Sequence, residues 1–266
     1  MLCVSPLHEG KHEQIDAATS AIEKSPSNVH LRLARAEVYL QHKELQACTD
    51  DLDFALTMAQ QSGTMVWLRA RLDFAQQHFD ASLQYTDQFL STKLDAQSRN
   101  SALVLRAQCL TALSKNELAV AAWTLAIQEN PRALPDWYLE RAALQSPADA
   151  IQGLDQGIQR LGFVVSLLLR AGEYEEQLGR IDAALARIQK LADQSPRKET
   201  WLKLQGELLL RADQNERAIK RFTQARDSWL QLSEKRRRTP SMERLLVEIE
   251  RGLTKGQEKL ARKQND

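Results

Sequence analysis

The residues best equipped for chemistry open the chain, where His8-Glu9-Gly10-Lys11-His12 is a literal H-E-x-x-H. On a helix, imidazoles at i and i+4 share a face and can hold zinc, and the intervening glutamate is positioned as base toward a metal-bound water. Such a site would serve zinc binding or metallohydrolase-like chemistry. Three features weigh against it: Gly10 weakens the helix inside the motif, Lys11 sets a positive charge beside the ion, and His30, His42 and His78 supply no evident third ligand. The expected state is a solvated histidine pair, so no catalytic residue, metal ligand or cofactor is assigned.

No other stretch competes. No glycine-rich loop follows a strand to cradle phosphate, and no Ser or Cys sits on a nucleophile turn. The pairs Asp50-Asp51 and Glu175-Glu176 lie on helical stretches that also carry Lys and Arg, where solvated faces explain them better than acid–base work. Cys3, Cys48 and Cys109 form no short-spaced pair, and Cys48 and Cys109 occupy interior helical positions where a free thiol acts as a small apolar filler.

The elements that would carry any site are helical and repeated. Residues 101–131 read as a helix, a turn and a second helix, with Leu103, Leu110, Trp123 and Ile127 at helical spacing and Pro131 as the stop. Ala107 and Ala119 fall mid-helix, where a one-carbon side chain lets two backbones approach closely. The first small residue recurs at Ala36, Ala70, Ala107, Ala142, Gly172 and Gly206, at intervals of 34, 37, 35, 30 and 34. A second-helix pair recurs as Cys48/Leu52, Ser82/Thr86, Ala119/Trp123, Ala150/Leu154, Ala184/Ile188 and Ala218/Phe222. In the fourth copy about four residues are missing, and Ser146-Pro147-Ala148-Asp149 places that loss in the inter-helix turn.

Arg106-Ala107, Leu110, Ala119 and Trp123, Ala126 and Pro131 together resemble the tetratricopeptide repeat pattern L-G-x2-Y…A-x3-F…P, whose period is about 34. The resemblance covers 29–234. It implies an all-α, right-handed superhelical α-solenoid of about six helix hairpins, with an N-terminal helix within 1–28 and a C-terminal capping helix within 235–266. One departure recurs: Arg35, Arg69, Arg106, Arg141 and Gln205 stand just before the small residue, where the family more often has Leu.

The resemblance also implies a partner, a protein or peptide held in the concave groove lined by the first helix of each hairpin. Carried onto this chain, the groove positions hold Glu37 and Gln41, then Trp67, Arg71 and Phe74, then Gln108 and Thr111. In the later copies they hold Glu140, Glu173 and Gln177, then Lys203, Glu207 and Arg211. The family's clamp for an acidic C-terminal carboxylate is absent, because its places hold Leu33, Glu37, Leu68, Ser101 and Leu105. What remains is an aromatic patch, Trp67 and Phe74, flanked by acids; a peptide with apolar anchors and a basic residue suits it.

Composition bounds the rest. With 43% hydrophobic and 27% charged residues the chain suits a protein with a continuous core. Residues 235–266 carry ten Lys/Arg against five Asp/Glu, so contact with nucleic acid or an anionic surface is an alternative to a solvated helix end. Within that stretch Met242, Leu245, Leu246, Ile249 and Leu253 share one face, as a terminal cap requires, and 255–266 is expected to fray. Residues 93–99 read as a polar linker. Residues 1–6 lack the positive flank and apolar run of a signal peptide, which points to the cytoplasm. The unpaired helix over 11–24 is similar to the opening of exported bacterial repeat proteins, so an exported or periplasmic protein with a trimmed leader is the alternative.

Overall fold

The computed structural model describes residues 6–265, with side chains over 13–263; the side chains of His8, Glu9 and His12 lie outside the described residues. Among the described residues there are fifteen helices and no strand, and no helix is long and apolar enough to cross a membrane. The all-α helical repeat fold is therefore present. The chain divides into two compact units, Met1–Ala133 and Leu134–Asp266.

In the first unit α1 (Pro6–Lys24) packs on α2 (Val29–Gln41), which pairs with α3 (Leu45–Met58). Two further hairpins follow, α4 (Gly63–Ala75) with α5 (Phe79–Leu90) and α6 (Ala96–Ala112) with α7 (Asn116–Glu129). The first helix of each hairpin is started by a short polar side chain that accepts from a backbone N–H: Asn28 from His30, Ser62 from Met65, Asp95 from Ser98. The Asp95 cap starts α6 at Ala96, so much of the stretch read as a linker is helix.

The second unit holds α8 (Pro135–Ala143) with α9 (Pro147–Leu161), α10 (Val165–Gln177) with α11 (Ile181–Gln194), and α12 (Glu199–Arg211) with α13 (Asn215–Leu230). The short α14 (Glu234–Arg237) and the 26-residue α15 (Pro240–Asn265) complete it.

Five of the six hairpins turn through one residue of left-handed backbone: Lys43, Gln77, Ser114, Gly179 and Asp213, with φ between 55° and 71°. In each, the next residue's N–H reaches back to a carbonyl five positions earlier at 2.8–3.0 Å, as Glu44 does to Tyr39 and Gln214 to Leu209. This closes the last turn of the first helix and aims the chain into the second.

The small-residue positions sit at the crossings. Ala36, Ala70 and Ala107 are wholly shielded, Ala142 nearly so, and Gly172 and Gly206 are buried. Their second-helix partners are buried too, with Leu52, Leu154 and Phe222 among the largest fully enclosed side chains. At five of the six small positions, all but Gly172, the residue just before reaches a second helix. Arg35 grips the buried Asp51 at 2.7 Å, Arg69 reaches Asp53 at 3.3 Å, Arg106 meets Asp87 at 2.7 Å, Arg141 donates to the Gly153 carbonyl and Gln205 to the Leu185 carbonyl. The recurrent departure from the family pattern is thus a recurrent polar tie between helices.

The fourth hairpin corrects the sequence reading. Its turn, Leu144 to Ser146, is as long as the others; the missing residues come from the end of α8, which has 9 residues against 13 or more in the other first helices. Four residues are close to one 3.6-residue turn, so the helix shortens while its packing face keeps its bearing. Ser146 then caps α9 by accepting from the Asp149 N–H, with Pro147 at the first helical position.

At the far end α15 lies on α13 and α12. Met242, Leu245, Ile249 and Leu253 are buried against Phe222 and its neighbours, as the apolar face required. Gly252 and Gly256 bring its backbone close: a Cβ at Gly252 would collide with Phe222, and one at Gly256 would lie 2.9 Å from Ile219. The stretch expected to fray is helical through Asn265, and in it Lys259 donates to the Leu210 carbonyl at 3.1 Å and Lys263 pairs with Asp213.

Candidate functional site

In the first unit Arg71 on α4 and Glu37 on α2 form a two-pronged ion pair, Nη1 to the carboxylate oxygens at 2.8 and 2.7 Å, and the Gln41 amide donates to Glu37 at 3.3 Å. Trp67 is half-buried and stacks on Phe89 of α5, ring centroids 5.1 Å apart, with the Arg71 guanidinium 5.9 Å from its ring. Phe74 meets Phe79 edge-on at 5.4 Å. Both Trp67 and Phe74 lean on the apolar cluster of Ala70, Leu105 and Cys109 and leave part of their surface to solvent.

On α6, Gln108 is exposed, whereas Thr111 is committed inward: its hydroxyl accepts from the Trp123 indole at 3.1 Å and donates to the Ala107 carbonyl. Cys48 and Cys109 are fully buried, and burial pushes the Cys48 thiol up to about 12, which leaves it inert as a nucleophile.

In the second unit Glu140 on α8 and Gln177 on α10 are exposed, and Glu173 pairs with Arg170 of its own helix at 2.9 Å. Arg211 on α12 grips Glu176 of α10 at 2.6 and 2.9 Å, and that hydrogen bonding raises its pKa. Lys203 bridges Glu207 at 3.1 Å and Glu248 of α15 at 2.7 Å. Burial works against the Lys203 ammonium, yet the bonds to Glu248 and Glu207 outweigh it and raise its pKa.

The structure therefore joins Glu37 to Arg71 and Lys203 to Glu207, and leaves Gln108, Glu140 and Gln177 standing alone on their helices. Sequence reasoning missed Phe89, Glu176 and Glu248. A signal for one of them existed. Glu37 and Arg71 are 34 apart and Glu176 and Arg211 are 35 apart, as are Asp80 and Lys115, and Asp182 and Arg217. Opposite charges one repeat apart fall on equivalent positions of successive hairpins and can pair.

The two chemical alternatives gain no support. Among the described residues no group of three or more His, Cys, Asp and Glu side chains is placed to hold a metal ion. In the basic stretch Lys259 and Lys263 are engaged with Asp213, and Arg238 with Glu234.

No family model matches the chain, and no curated protein matches it. Solved structures do. A tetratricopeptide repeat protein from Parabacteroides merdae aligns over 91% of this chain and 94% of its own, with 17% identity and a TM-score of 0.54. The C-terminal part of a TPR repeat-containing protein from Cytophaga hutchinsonii aligns over 83% and 95%, with 11% identity and a TM-score of 0.65. PilF of Pseudomonas aeruginosa aligns over 76% and 92%, with 19% identity and a TM-score of 0.54. At these identities the likeness is one of fold, and the shared fold is that of tetratricopeptide repeats.

Proposed function

We propose, on the premise that these hairpins fold as tetratricopeptide repeats do, that the chain is a non-catalytic protein–protein interaction scaffold. Its first helices would hold a peptide or protein segment. The observation that carries this reading is the half-exposed pair of aromatic rings on α4, Trp67 and Phe74, set beside the Glu37–Arg71 ion pair. Large rings already stacked on neighbours bury much area for little lost rotamer freedom, which is what an interface anchor needs. Glu37 is already shared with Arg71, so apolar side chains of the partner supply most of the attraction, and a basic residue would add to it by competing for that carboxylate.

Comparative pull-down tests it, using wild type against a Trp67→Ala, Arg71→Ala, Phe74→Ala variant. A defined set of proteins should be lost from the variant, while its far-UV circular dichroism stays helical. Because truncating Trp67 also removes its stack on Phe89, a gentler Arg71→Glu variant should weaken capture of the same set. Identical partner lists for all three proteins would remove this surface from consideration.

A further inference from the structure

We infer that one edge of the second unit docks on an anionic lipid surface. This rests on other residues than the α4 rings and goes beyond the scaffold reading. Short connections run successive helices of the unit antiparallel. The starts of α8, α10, α12 and α15 and the ends of α9, α11 and α13 therefore share one end of the hairpins. Four large apolar side chains stand out there, each 40–52% exposed: Leu134 before α8, Phe163 and Val165 where α9 passes into α10, and Leu230 at the end of α13. At the opposite end, where the turns inside the hairpins lie, Leu178 alone among the described residues is comparably exposed.

Charge divides the same way. The connections at the apolar end, 162–164, 195–198 and 231–239, hold six Lys or Arg against one acid, Glu234, which is paired with Arg238. The nearest other acids, Asp136, Asp193, Asp227 and Glu243, lie on the helices. Lys198, Lys235 and Arg236 are exposed and enter no ion pair among the described residues. At the opposite end Arg211 is paired with Glu176, Arg217 with Asp182, and Lys259 and Lys263 with Asp213, so the far end of α15 takes no part. A bilayer surface answers both features: apolar side chains sink among the headgroups while the cations stay with anionic lipid. A protein partner fits less well, because such interfaces gather apolar contacts at the centre behind a polar rim, whereas here apolar residues and cations alternate from one connection to the next. A nucleic acid would engage the cations, but Leu134, Phe163 and Val165 offer nothing to a sugar–phosphate chain.

Vesicle flotation of the full chain tests the surface, with vesicles of phosphatidylglycerol and phosphatidylcholine set against phosphatidylcholine alone. The chain should float with the anionic vesicles, less so in high salt, and stay behind with the neutral ones. A Phe163→Ser, Val165→Ser variant and a Lys198→Glu, Lys235→Glu, Arg236→Glu variant should each bind at least about tenfold more weakly. The same charge change placed farther along α15, as Arg251→Glu, Lys255→Glu, Arg262→Glu, should bind nearly as wild type does. All these side chains are exposed, so the helical spectrum should be unchanged in every variant. No flotation, equal flotation with neutral vesicles, wild-type binding by either edge variant or an equal loss in the α15 control overturns the proposal. So does tighter binding of a short single-stranded oligonucleotide than of the anionic vesicles. The Trp67, Arg71 and Phe74 variant should float as wild type does, so this proposal and the scaffold reading fail separately.

Discussion

Gly172 and Gly206 occupy the same register in successive hairpins, yet they answer to different neighbours. A Cβ at Gly172 would meet only the Ala184 carbonyl at 3.9 Å and the Arg187 Cβ at 4.0 Å, which is ordinary contact. Gly172→Ala should therefore stabilise the chain by about 0.5–1 kcal/mol, the usual cost of glycine inside a helix. At Gly206 the added carbon would lie 2.8 Å from the Phe222 ring, which is itself fully buried and backed by Gly252. Gly206→Ala should destabilise by about 1–3 kcal/mol, as overpacking does. Urea unfolding of the two variants checks both signs. The small-residue position was legible in the sequence from its period. Whether it tolerates a methyl was not, because that depends on a ring sixteen residues away in one hairpin and on a carbonyl in another. Trp67 and Phe74 were legible as a pair for the same reason of spacing, and Phe89, the ring that holds Trp67, was not.

Helices show the same division. Their number and order follow from apolar periodicity and caps, but the sequence could not locate the four missing residues of the fourth hairpin. A deletion of one helical turn and a deletion within a loop leave the same spacing between Ala142 and Ala150. Nor could it foresee the end of α15, whose hold is electrostatic and comes from outside the helix. The pKa of Asp213 is lowered, chiefly by the hydrogen bond from Lys263 and then by that from Asn215. A carboxylate with a depressed folded-state pKa contributes above its unfolded value, and the contribution disappears as pH falls through the folded one. The tether should thus be intact at neutral pH and lost only below about pH 4. Asp213→Asn should free it at pH 7: amide exchange over 255–263, corrected for intrinsic rates, should rise in the variant at neutral pH and in wild type only in acid. Equal exchange in both at pH 7 would show that Gly252 and Gly256 alone suffice.

Across the molecule, interactions stay near in sequence. Among the described hydrogen bonds and ion pairs, the longest separations are 50 and 49 residues, Lys263 to Asp213 and Lys259 to Leu210, and both belong to α15 reaching back to the end of α12 and the turn after it. Hairpins of this kind are stabilised by themselves and their immediate neighbours, so perturbations should remain local and add when well separated. The left-handed turns show what this permits. Lys43, Gln77 and Ser114 adopt a backbone that a side chain disfavours, and each stands in a different hairpin. Exchanging them for glycine should raise stability by up to about 1 kcal/mol apiece, with the triple variant close to the sum of the singles in thermal melts. The elbows of this chain are unspent slack: three exchanges at its bends could toughen it against heat without repainting the helix faces between them.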